Sequence, residues 1–163
     1  MGMASWGDVE QAAPTLAGLT RARFEAHGLG LLATLRRDGS PRISGIEPLF
    51  ADGELWLGMM PGSRKGEDLQ RDGRFALHNA TVDKQVTEGD TKIGGEARLV
   101  DTEESMVRFR QAFERHTGYA PPPGPFTLFR ADVHEVSTLR PAGDHLDIEW
   151  WREGDGVSRV ERR

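Results

Sequence analysis

The chain has 163 residues, the size of one ordinary domain. Its formal net charge of -5 argues against a nucleic-acid partner, and the absence of cysteine excludes disulfides, thiolate metal sites and cysteine nucleophiles. No apolar run approaches the roughly 18 residues of a membrane span, and no basic-then-apolar leader opens the chain. A cytoplasmic protein without membrane contact is therefore expected.

Residues 1–14 carry no hydrophobic period and read as a flexible arm closed by Pro14. The spacing of Leu16, Leu19 and Phe24 predicts a helix over 15–27, capped by Thr15 and stopped at Gly28. The period then changes to two: Leu31, Ala33 and Leu35 alternate with Leu32, Thr34 and Arg36, and Arg37-Asp38-Gly39-Ser40 makes a turn. A second strand runs over 41–50, interrupted at Pro48, and Asp52-Gly53 signals a tight hairpin into a third strand over 54–60.

Pro61-Gly62 ends that strand and a short helix is expected over 63–72. A strand over 74–79 and a polar loop over 80–90 follow. Residues 91–100 alternate, with Ile93, Ala97 and Leu99 on one side and Lys92, Glu96 and Arg98 on the other; Gly94 and Gly95 suggest a bulge. A helix over 101–116 shows capping-box spacing at Asp101 and Glu104, and an apolar face of Met106, Phe109 and Phe113. The Pro-rich run 121–125 reads as a rigid loop. Two strands, 126–140 and 146–152, close the chain. Hairpins in series with helices set apart point to an antiparallel barrel or sandwich, with residues 15–163 forming one domain.

The chemistry concentrates in Met59-Met60-Pro61-Gly62-Ser63-Arg64-Lys65-Gly66, where a strand ends and a helix starts. A helix N-terminus offers unpaired N–H groups and partial positive charge, which suits a phosphate. Arg64 adds a planar fork, Lys65 a point charge, and Ser63 a hydroxyl. Two cations in a first turn oppose the helix dipole, a local rule broken where function accounts for it. The bland reading, an ordinary Ser63 cap with two solvated cations, stands at even weight on the residues alone. The five histidines show no metal-ligand spacing on a helix, and no metal site is expected. No nucleophile elbow or P-loop occurs.

The run SRKG at 63–66, followed by RDGR at 71–74 leading into a strand, resembles the pyridoxamine 5'-phosphate oxidase superfamily of flavin-binding split barrels. So do LATLRRDGSPR at 32–42, GEARLV at 95–100 and WWREG at 150–154, and their order matches over residues 20–160. The resemblance implies a mainly β (α+β) fold: an antiparallel six- to eight-stranded split barrel with two or three peripheral helices. It implies a homodimer with FMN at the seam, or the deazaflavin F420, which offers the same phosphate and tricyclic ring. It places Ser63, Arg64 and Lys65 on the phosphate, Arg42, Ser44, Met59 and Met60 along the ring, and Lys92 toward it. A flavin- or F420-dependent oxidoreductase follows, with hydride or electrons passing through the cofactor; a non-enzymatic flavin or tetrapyrrole carrier is the alternative. The basic, hydroxyl-rich pyridoxal-phosphate pocket of the full oxidases has no match here, and Trp150 or Trp151 with Arg159 only loosely echoes their C-terminal pair.

Overall fold

The computed structural model describes residues 4–163. In chain order these form α1 (Trp6–Ala12), α2 (Pro14–Glu25), β1 (Gly30–Leu35), β2 (Pro41–Ile46), β3 (Leu49–Ala51), β4 (Glu54–Met59), α3 (Arg64–Arg71), β5 (Arg74–Asn79) and β6 (Asp90–Leu99). They continue with α4 (Glu103–Thr117), β7 (Thr127–Ala142), β8 (His145–Arg152) and β9 (Gly156–Arg162). All nine strands join one antiparallel sheet in the order β2-β1-β5-β6-β7-β4-β3, with β8 on β7 and β9 on β8.

The 16-residue β7 is the spine of this α+β split barrel. One edge pairs with β6. The other divides: Thr127–Arg130 pair with β4, and Glu135–Ala142 pair with β8. The sheet thus separates into two leaves, and the N-terminal segment fills the gap, the Val133 N–H donating to the Ala4 carbonyl at 2.8 Å.

The arm expected over residues 1–14 is therefore corrected from Ala4 onward; residues 1–3 lie outside the described part. Ser5 caps α1 in a reciprocal box with Asp8. Trp6, only 1% exposed, packs edge-on against Phe50 at 4.8 Å, and Phe50 meets Phe24 at 5.5 Å. An indole worth well over 1 kcal/mol of burial outweighs the missing period. Pro14 opens α2 at its first turn rather than closing an arm, and Ala13 stands where a Thr15 cap was expected.

Two further expectations change. Thr102, not Asp101, caps α4 by accepting from the Ser105 N–H, and Gly118 (φ 82°) ends it. A ninth strand, β9, follows the turn after Arg152; its side chains are mostly exposed, so it lacks the alternation that marks a half-buried strand. The fold carries four helices and nine strands among the described residues, where two or three and six to eight were expected.

The bulge in β6 falls between Gly94 and Gly95. A Cβ on Gly95 would lie 2.0 Å from the Asp132 carbonyl oxygen, a backbone atom that cannot move aside. We expect Gly95→Ala to cost about 3 kcal/mol or more, read from the urea midpoint.

Candidate functional site

Two depressions flank the start of α3. The first is a cavity of about 670 Å³, within the roughly 300–1,000 Å³ of small-molecule sites. Its polar side chains, Glu47, Ser63 and Lys65, come from the segment after β2 and from the start of α3. The opposite wall is apolar: Trp56 from β4, Phe109 and Phe113 from α4, the run Pro121–Pro125, and Phe126.

Ser63 caps α3, its Oγ accepting from the Gly66 N–H at 3.2 Å. The first-turn N–H groups of Arg64 and Lys65 then have no intrahelical partner. Lys65 reaches across to β2, its Nζ donating to the Gly45 carbonyl at 2.6 Å. Burial holds its ammonium below the ordinary lysine value, so an anion beside it would be welcomed. Met59, buried, and Met60, exposed, line the same cavity at the end of β4.

Arg64 turns the other way. Its side chain, 77% exposed, pairs with Glu67 at 3.0 Å and lines the second depression, a cleft of about 930 Å³. Arg36, Arg37, Arg42 and Arg71 share that cleft. Its organiser is Asp68, 3% exposed, which accepts from Arg42 Nε at 2.7 Å, Arg71 Nη2 at 3.0 Å and Thr34 Oγ1 at 2.9 Å. Burial alone would raise its carboxyl, but these hydrogen bonds and the charge of Arg42 outweigh that and hold it below the usual carboxylate range.

The expected site residues therefore divide. Met59, Met60, Ser63 and Lys65 meet in the cavity, while Arg42 and Arg64 meet in the adjoining arginine cleft. Ser44 and Lys92 line neither depression. Lys92 is exposed and opposite Ser137 on β7, ten positions from Thr127, the partner of Met59, so strand length alone separates it from the cavity within one chain. Asp68 and the aromatic wall escaped the sequence reading. The spacing of Met106, Phe109 and Phe113 marks an apolar helix face, but nothing local shows what that face meets.

Strand pairing also brings His145, Asp147 and Glu161 together, their ligand atoms within 4.8 Å of one another. Arg159 already donates to Asp147 at 2.8 Å and supplies the positive charge a cation would bring, so the cluster is an ion network. A hydrogen bond to Asp144 raises the His145 pKa above its usual value, and Glu161 and Asp147 add to this against desolvation. The His145 contribution is present below about pH 6.5, as long as the facing carboxylates stay ionised, and fades as pH rises through the folded-state value; the Asp147 contribution is lost instead as pH falls through its lowered value. An NMR titration should show a raised His145 midpoint, with β9 amides exchanging faster above it.

No helix among the described residues is long and apolar enough to cross a membrane. A sequence-family model described as pyridoxamine 5'-phosphate oxidase matches residues 17–140. No curated protein matches the sequence. Among solved structures, a conserved hypothetical protein from Mycobacterium tuberculosis is 25% identical, with TM-score 0.56, covering 68% of this chain and 75% of its own. PhzG from Burkholderia lata 383, in complex with tetrahydrophenazine-1-carboxylic acid, is 17% identical, with TM-score 0.65 and coverages of 97% and 95%. HutZ, the heme storage protein from Vibrio cholerae, is 15% identical, with TM-score 0.60 and coverages of 76% and 90%. The last two likenesses concern the fold alone.

Proposed function

The chain belongs to the pyridoxamine 5'-phosphate oxidase family, and from that premise we propose that it is an FMN-binding oxidoreductase acting as a homodimer. The observation that carries this reading is Lys65: a single, partly desolvated cation in the wall of a mostly apolar cavity, beside a serine-capped helix start. These residues fit a phosphate-bearing ring. Lys65, Ser63 and the first-turn N–H groups of α3 would hold the phosphate, with Met59 and Met60 against the apolar part of the ligand. When bound, FMN supplies a ring that accepts and returns hydride or electrons. The protein's own share is to bind, to orient and to keep the apolar end of the cavity dry.

F420 would satisfy the same contacts. Heme is the weaker reading, since none of the five histidines lines the cavity and no imidazole stands ready for an iron. Releasing the bound ligand from purified protein and weighing it separates these cases: the mass of FMN supports the proposal, and that of F420 or a tetrapyrrole replaces it. Bleaching of the flavin by NAD(P)H, with turnover, distinguishes an enzyme from a carrier.

The dimer reading rests on the outer face of the sheet, where Leu31 (47% exposed) on β1 and Ile43 (70% exposed) on β2 stand beside Ala33 and Ala76. Exposed apolar side chains grouped on one sheet face support the reading of a two-fold contact there. Ile43→Arg should convert the dimer to a monomer in analytical ultracentrifugation, and an unchanged mass would count against this seam.

A further inference from the structure

The proposed cofactor accounts for the polar end of the cavity but not for its other wall. That wall is built from aromatic rings already packed on one another: Trp56 on Phe109 at 5.6 Å, and Phe109 on Phe126 at 5.5 Å and on Phe113 at 5.9 Å. Trp56 is held in place by its Nε1 donating to the Ala51 carbonyl at 3.1 Å. Four prolines in residues 121–125 face the same space with fixed φ angles. Little conformational entropy remains to be lost when a ligand arrives. No charged side chain comes from α4, from the proline run or from Phe126 into this end.

We propose that this wall is the substrate subsite, and that it takes a flat, uncharged aromatic ring system. The inference rests on the cofactor reading in one respect: the anionic ligand stays at the Ser63–Lys65 end. An anionic substrate would lack a partner at the aromatic wall and pay for desolvation there. A planar ring gains offset or edge contacts with the part-exposed Phe113 and Phe126 beyond simple area burial, while Trp56, 1% exposed, backs the wall close enough to report binding through its fluorescence. A saturated ring of equal size gains only the area.

The test uses flavin-loaded protein with two uncharged two-ring probes, menadione and the saturated 1-decalone, followed by calorimetry and tryptophan fluorescence. Menadione is expected to bind saturably without releasing flavin and to quench fluorescence. Trp56→Phe should remove most of that quench while preserving affinity. Phe113→Leu and Phe126→Leu, which keep apolar volume, should each weaken menadione about three- to tenfold and leave flavin content unchanged; 1-decalone should bind at least tenfold more weakly. Displacement of flavin by menadione would overturn the proposal, because the wall would then be the cofactor's own. Equal affinity for the two probes, or no effect of either leucine variant, would also overturn it. Menadione binding by protein that carries no flavin would keep the aromatic subsite and remove the cofactor reading instead.

Discussion

Lys65→Ala is expected to weaken FMN binding by about 100-fold, while Arg64→Ala alone changes it by less than about threefold. Their sequence adjacency suggests equal roles, but α3 sends them apart. Lys65 enters the cavity wall and bridges to the Gly45 carbonyl, whereas Arg64 is exposed and engaged with Glu67. A charge-assisted hydrogen bond in a partly desolvated site contributes about 1.5–3 kcal/mol, hence the factor for Lys65. An exposed guanidinium already in a surface pair contributes a fraction of that. The double variant Arg64→Ala/Lys65→Ala should bind little more weakly than Lys65→Ala, with far-ultraviolet circular dichroism unchanged. Flavin fluorescence titration measures all three, and stoichiometric FMN retained by the Lys65 variant would remove the anchor of the proposed site. Lys65→Arg, which keeps the charge, should recover part of the loss.

Asp68→Ala is expected to lower stability by about 3–5 kcal/mol. The carboxylate is almost fully buried between β1, β2 and α3 and satisfies three donors. Removing it leaves the Arg42 and Arg71 guanidiniums, each largely covered, without their counter-ion, which is the costly way to break such a pair. The pH dependence has a definite sign. Because the folded-state pKa lies below the unfolded one, the contribution is complete above about pH 4 and is lost as pH falls through the folded value. Asp68→Asn should therefore flatten the acid limb of the stability curve in urea titrations between about pH 5 and pH 2. An unchanged acid limb would mean that Asp68 titrates alike in both states.

These two expectations differ in how far the sequence reaches. The Ser63 cap and the apolar face of Phe109 and Phe113 are local patterns, and each appears in the folded chain where the pattern places it. Asp68 carries no such mark. In the sequence it is one more acidic residue on a short helix; it becomes a hub only because β1 and β2 bring Thr34 and Arg42 against it.

Chain order and period were enough to indicate antiparallel hairpins closing a barrel or sandwich, since alternation, turn residues and caps act over a few residues; the split barrel itself followed from the family resemblance. The ordered N-terminal segment was not legible, because Trp6 and Ala4 acquire their partners in Phe50 and Val133 across the whole chain. The same limit governs the site. Local chemistry named Ser63, Arg64 and Lys65, but the direction each points, the aromatic wall opposite them and the position of Lys92 along β6 depend on which strands pair and in what register. Register is set by long-range burial, and a residue's neighbours on a strand say little about what lies across the cavity from it.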